Sequence, residues 1–350
     1  MVKRHALSVL LSLAIAPLGL AEPGLAPALR NPAVGHVDFS FFWLLSPSVF
    51  KIEAQNRRGG VSVGSGVMVG EGLVVTNCHV TRDATGIQVV KQALRWTVHA
   101  QASDLEHDLC LLHAPHMTGQ IAPISRKQPH VGQPVIAIGY VGGVAPQMSG
   151  GEVRALYRFD GGTVIQSTAS FNSGASGGGL FDRDGKLLGI VAFRHQGGEG
   201  YHFALPVDWI YRRSLDLRRA REVEPLGRAL PFWQQVGDRQ PYFLKAAALE
   251  ASRDWTALRE FAEKWTAVEQ GNPDAWLALG LAHERTGDFE QAIASYSSAV
   301  RSDLEYAQAW YSLGLVYIAR GQREQLQEVQ RVLMTLNEEL ARKLNERARE

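Results

Sequence analysis

The chain has 350 residues, more than one hydrophobic core ordinarily serves, so two domains are expected. With 36 basic against 35 acidic side chains, its formal net charge of +1 lacks the basic excess that nucleic acid or an anionic membrane would need as a partner. A composition 45% hydrophobic and 20% charged is that of a globular protein and excludes a disordered, highly charged chain.

The first residues read as an export signal. Lys3, Arg4 and His5 precede a mostly apolar stretch from Ala6 to Leu20, and Gly19-Leu20-Ala21 offers small residues before Glu22, so residues 1–21 are expected to be removed. A membrane anchor is the alternative, but a span needs roughly 20 apolar residues and this stretch is shorter. The mature protein is then periplasmic or secreted, with no stable membrane span. Its two cysteines, Cys78 and Cys110, would meet an oxidising compartment.

From Ser48 to Pro206 the pattern is β. Val49 to Ala54 and Val61 to Val69 alternate, Leu73-Val74-Val75 is a short buried run, and further short strands follow between Gly-rich turns. Many short strands at even spacing predict a sandwich or barrel over residues 45–212. Residues 213–240 are charged, contain Pro225 and Pro231, and read as a linker. From Pro241, Gly becomes rare and helical periodicity takes over.

This helical part repeats. Trp276 and Trp310 are 34 residues apart, as are Leu279 and Leu313, Gly280 and Gly314, and Gly287 and Gly321. A 34-residue period with a large residue, Leu-Gly, a small residue and an aromatic resembles the tetratricopeptide repeat, and about three units fit residues 241–340. The middle unit matches well (Ala292, Tyr296, Ala299). The first has Lys245-Ala246 at the Leu-Gly offset, and the third has Leu326 and Gln330 where Ala and an aromatic belong. An ordinary helical hairpin bundle is the alternative. Leu277, Leu281, Tyr311 and Leu315 would line a groove for a protein partner, or simply pack in the core.

Three segments carry chemistry: Thr76-Asn77-Cys78-His79-Val80, His107-Asp108-Leu109-Cys110-Leu111-Leu112 and Gly174-Ala175-Ser176-Gly177-Gly178-Gly179. A Ser hydroxyl becomes a nucleophile when an imidazole takes its proton and a buried carboxylate orients that imidazole. His107 and His113 rival His79 as base, Asp104 rivals Asp108, and Ser173 rivals Ser176, but each lacks the flanking strand or Gly-Gly turn. Should His79 and Asp108 meet, Cys78 and Cys110 come within bridging reach; two reduced, buried thiols are the alternative. No metal or cofactor is expected, since two thiols without a nearby CxxC make a poor site.

Together with Gly64-Ser65-Gly66-Val67, Leu188-Gly189-Ile190-Val191 and Gly200 to Pro206, these segments resemble the trypsin-like serine endopeptidases, in particular their bacterial stress-protease (HtrA/Deg) branch. The resemblance implies a double six-stranded antiparallel β-barrel, here followed by an all-α repeat domain, and hydrolysis of peptide bonds in protein or peptide substrates. By resemblance, Ser176 attacks, His79 is the base and Asp108 the orienting acid. Gly174 and Ser176 supply oxyanion N–H groups, Ser170 and Phe171 line the primary pocket, and Ala192-Phe193-Arg194 pairs with substrate. His202 would reach that pocket or pack as a strand residue. Ala175 carries no charge, so the ionic zymogen switch of the digestive members has no counterpart.

Two other readings stay open. Gly174-Ala175-Ser176-Gly177-Gly178 also fits the α/β-hydrolase elbow, which requires a helix after the Ser, whereas Leu180 to Leu187 reads as a hairpin. The chain would alternatively be a repeat-based adaptor carrying a latent protease-fold module.

Overall fold

The computed structural model describes residues 39–194, 201–212 and 215–350; the expected signal at residues 1–21 lies outside them. A short helix α1 (Ser40–Leu45) leads into seven strands: β1 (Val49–Asn56), β2 (Val61–Gly70), β3 (Leu73–Thr76), β4 (Ala84–Lys91), β5 (Leu94–Thr97), β6 (Ala100–Asp104) and β7 (Leu109–His113). A single helical turn α2 (Cys78–Thr81) follows β3. Six more strands are β8 (Pro134–Val141), β9 (Ala145–Phe159), β10 (Gly162–Ser167), β11 (Gly179–Phe181), β12 (Leu187–Arg194) and β13 (His202–Pro206), and a two-residue β14 (Arg221–Glu222) comes after them.

These strands make the trypsin-like β region, with its two halves unequal. The second half is a closed six-strand barrel in the order β10-β13-β12-β11-β8-β9. The first half departs from the expected closed barrel. It is an eight-stranded open sheet, β14-β6-β7-β3-β2-β1-β4-β5, because β14 arrives from beyond the second barrel and takes the outer edge of β6 through Arg221↔Gln101. The alternating pattern of β1 is realised: Phe50, Ile52 and Ala54 are buried while Lys51 and Glu53 stay partly exposed.

The helical part is three antiparallel pairs and a closing helix: α3 (Tyr242–Ser252), α4 (Trp255–Val268), α5 (Pro273–Arg285), α6 (Phe289–Ser302), α7 (Ala307–Arg320), α8 (Arg323–Leu336) and α9 (Glu338–Arg347). The 34-residue period is visible as repeated contacts. Asp254 and Asp288 cap α4 and α6, each accepting from an N–H three residues on, which satisfies a helix-start donor. Trp276 and Trp310 each donate their indole N–H to the carbonyl six residues earlier, Gln270 O and Leu304 O. Gly280 lies against the Tyr296 ring. Gly314 instead lies against Leu344, so α9 fills the space that the third unit's Gln330 cannot.

The repeats dock on the second barrel. One apolar cluster runs from Ile190, Phe193 and Phe203 through Phe232 to Phe243, Leu258 and Trp265. Arg154 Nη2 donates to Glu250 Oε1 at 2.6 Å, and Lys343 pairs with Glu152. Residues 215–240 do more than join the two parts, since besides β14 they place Leu226 N–H on Arg82 O and bury Phe232.

Candidate active site

The segment after β3 turns at Asn77 into α2, which puts His79 at the rim between the two β halves. Asp108 sits in the β6–β7 turn with φ +57, a left-handed conformation that Asp tolerates better than most residues. That turn is held from several sides. Asn77 Nδ2 and Cys78 N donate to Asp108 O at 3.0 and 3.2 Å. A disulfide joins Cys78 to Cys110, with Cα atoms 5.0 Å apart, so one covalent clamp spans the residues next to His79 and Asp108.

The carboxylate of Asp108 is fully buried. Its Oδ1 accepts from the His79 backbone N–H at 2.8 Å, and its Oδ2 accepts from His79 Nδ1 at 2.6 Å. The imidazole is about a quarter exposed. With Nδ1–H committed to the carboxylate, the Nε2 lone pair is left to take a proton.

The nucleophile loop lies between β10 and β11. Gly174 has φ +94, and a Cβ there would sit 2.3 Å from Tyr140 O; Gly177 has φ +87, and its Cβ would meet Ser65 O at 2.0 Å. Only glycine fits both positions. Among the described residues, the N–H groups of Gly174 and Ser176 have no acceptor, although their neighbours Ala175, Gly177 and Gly178 are all bonded. Ser176 Oγ donates to Ala192 O at 3.3 Å, and among the described residues no hydrogen bond joins it to His79.

Ser65 fastens this loop to the first sheet. Its hydroxyl donates to Gly174 O at 2.7 Å and accepts from Tyr140 N, its N–H donates to Ser176 O, and its own carbonyl accepts from Thr76 Oγ1 at 2.6 Å. Ser65 and Thr76 lie in segments that carry the family resemblance, but the sequence assigns neither of them this fastening role. Trp233 is a further unforeseen neighbour: its indole Nε1–H donates to Asp108 Oδ2 at 3.2 Å from the segment read as a linker.

Two of the rivals, His107 and Asp104, are occupied elsewhere. His107 is bonded through Nδ1 to Asp104 Oδ1 at 2.8 Å and through Nε2 to Asp160 Oδ2 at 2.7 Å, stitching the β6–β7 turn to the second barrel. After Ser176 the chain runs into β11 and the β11–β12 hairpin, which is incompatible with the hydrolase elbow and its helix.

Ser170 and Phe171 border a cleft of about 770 Å³ with Asn172, Ala175, Met148, Phe42 of α1 and Phe39 just before it. Neither His79 nor Ser176 lines it, so it opens behind the nucleophile loop. Ala192 lies at an irregularity of the β12–β13 pairing, between Val191 and Phe193, with its carbonyl toward Ser176. The Phe193 ring is sandwiched between Phe203 and Trp233, and Arg194 reaches Asn172 Oδ1 at 3.4 Å. His202 packs on Phe171 with ring centres 4.7 Å apart, and its buried Nδ1 has no partner among the described residues. Burial holds its imidazole below the usual range. Among the described residues no cluster of His, Cys, Asp or Glu could hold a metal ion.

Residues 64–190 match the trypsin-like peptidase domain, and residues 246–303 and 277–324 match the tetratricopeptide repeat. The chain carries a trypsin-like peptidase domain followed by tetratricopeptide repeats. The peptidase domain is 33% identical over 162 residues to the serine endoprotease DegS of Haemophilus influenzae, covering 42% of this chain and 47% of that protein. It is 34% identical over 157 residues to the periplasmic pH-dependent serine endoprotease DegQ of Escherichia coli, covering 41% and 34%. A serine endoprotease structure from Yersinia pestis aligns with 30% identity and a TM-score of 0.45 over 49% of this chain and 64% of that one. The chain thus spans less than half the length of these curated relatives.

Proposed function

We propose that the protein is a serine endopeptidase exported to the periplasm or beyond, acting through Ser176 as nucleophile, His79 as general base and Asp108 as orienting acid. The observation that carries this reading is the 2.6 Å contact of His79 Nδ1 with a fully buried Asp108 carboxylate, on a domain whose nucleophile loop leaves the N–H donors of Gly174 and Ser176 without an acceptor among the described residues. In this mechanism His79 Nε2 takes the Ser176 proton as Oγ attacks the scissile carbonyl. Asp108 stabilises the imidazolium without accepting its proton, and the N–H groups of Gly174 and Ser176 bind the oxyanion. His79 then gives the proton to the leaving amine, and water hydrolyses the acyl-enzyme by the same route in reverse. The Cys78–Cys110 disulfide supports an oxidising compartment, in line with removal of residues 1–21. Among the described residues no helix is long and apolar enough to cross a membrane.

A second reading, an adaptor with a latent peptidase, is favoured by one contact: Ser176 Oγ is turned to Ala192 O and not to His79. A partner at the repeats would not simply enter the groove expected at Leu277, Leu281, Tyr311 and Leu315. Those side chains face a cavity of about 310 Å³ whose far wall is Glu152, Arg154 and Tyr157 of β9. An active-site fluorophosphonate distinguishes the two readings. Labelling of the purified chain that disappears in Ser176→Ala is the expected result. No Ser176-dependent labelling under any condition would leave the adaptor.

A further inference from the structure

The segment expected to be a mere linker ends on the base–acid pair. Phe232 N–H donates to Glu106 O at 2.9 Å, two residues before Asp108. The next residue, Trp233, donates its indole N–H to Asp108 Oδ2, the same oxygen that accepts from His79 Nδ1. Its ring stands edge-on to the His79 imidazole, with centres 5.7 Å apart and planes at 81°. It also lies flat on Phe193, 4.9 Å away at 9°. Phe232 points the other way, into the core, 4.8 Å from Phe159 and 6.4 Å from Phe243 of α3. Aromatic contacts therefore run without a gap from the first repeat helix to the imidazole.

We propose that Trp233 is a positioning residue for His79 and Asp108, so that the segment leading into the repeats forms part of the active centre. This rests on the catalytic reading of the trio given above. The physical case begins with Asp108, a carboxylate with no solvent exposure whose lone pairs must all be met by protein donors. His79 supplies two, and Trp233 supplies a third. Indole is a donor only, so it fixes the carboxylate without competing for the proton that His79 handles. Its ring also walls the imidazole on one side, with Phe193 behind it to keep the indole from turning.

The test uses the full chain. Trp233→Phe keeps an aromatic ring against Phe193 and removes the N–H together with part of the indole's bulk. On an internally quenched peptide, kcat is expected to fall about tenfold, the loss of one hydrogen bond to a charged group, with KM unchanged. A parallel measurement needs no turnover. In ¹⁵N-labelled Ser176→Ala protein, the indole N–H peak that vanishes on adding Trp233→Phe belongs to Trp233, and Asp108→Asn is expected to move that peak upfield. A stationary peak overturns the proposal, as does a Trp233→Phe enzyme with wild-type kcat. A moving peak in a chain that shows no Ser176-dependent turnover upholds the contact and overturns the catalytic reading instead.

Discussion

The two parts of this chain bury polar groups for different ends. In the peptidase domain, buried Ser65, Thr76, Asn77 and Asp108 bond one another's loops and set the positions of His79 and Ser176. In the repeats, the buried polar pairs hold helix to helix: Tyr306 Oη donates to Asp274 Oδ1 at 2.5 Å, and Tyr296 Oη to Glu284 Oε2 at 2.7 Å. Desolvation costs are similar in both places. What differs is what they sustain, the proposed catalytic geometry in one and stacking in the other. Substitutions in the first set should therefore cost activity before stability, and those in the second the reverse.

The sharpest break of this comparison is Ser176→Ala. Peptide hydrolysis is expected to fall by about 10⁴ or more, because nucleophile and base act as a unit. The melting temperature should hardly move, since the hydroxyl makes only a 3.3 Å contact to Ala192 O. A large loss of melting temperature would mean that Ser176 serves architecture as well. Gly174→Ala comes next. Its Cβ would meet Tyr140 O at 2.3 Å, so the peptide must shift, and with it the N–H proposed above to bind the oxyanion. A loss of roughly 10²–10³ in kcat is expected from steady-state kinetics.

Removing the Cys78–Cys110 disulfide straddles the two classes. The bridge closes a loop with a sequence separation of 32, so reduction or a double Cys→Ala variant should cost about 4 kcal/mol in denaturant unfolding. Activity at temperatures well below melting should also drop, because the clamp joins the neighbours of base and acid. Unchanged kcat in the folded, reduced protein would confine the bridge to stability.

These effects follow features of very different legibility. The trio, the Gly-rich loop and the 34-residue period are local patterns. Each depends on neighbours within one loop or one helix pair, and a strand–turn or a cap such as Asp288 is written where it acts. Trp233 is the opposite case. It lies 125 residues from Asp108 in a Pro-containing, charged stretch with no periodicity, and only the route of the chain back across the first sheet brings them together. The open first sheet has the same origin, since β14 closes off β6 from 120 residues away (Arg221 to Gln101). The groove expected from Leu277 of α5 and Tyr311 of α7 follows from the pattern of those first helices, but the covering surface is β9 of the other domain. Gln330 in the third unit looked like a failing repeat; Leu344 of α9 supplies the missing packing.

The smallest effect tests the helical side through pH. Burial raises the Asp274 carboxyl from 3.8 to about 6, with the Tyr306 hydrogen bond opposing the shift. Its folded-state value therefore lies above its unfolded one, and between those values the native state binds more protons than the unfolded chain. As pH rises through that window, roughly 4 to 6, Asp274 makes the protein progressively less stable. Asp274→Asn keeps an acceptor for Tyr306 and removes the buried charge. Its unfolding free energy should exceed that of the parent by about 1 kcal/mol at pH 7, and the gain should shrink to nothing below pH 4. Steady-state kcat at pH 7 should stay within twofold, because Asp274 contacts no residue of the trio. A stability gain independent of pH would assign the effect to packing; a marked fall in kcat would show that the repeats and the active centre are coupled more tightly than the aromatic contacts through Phe232 and Trp233 provide.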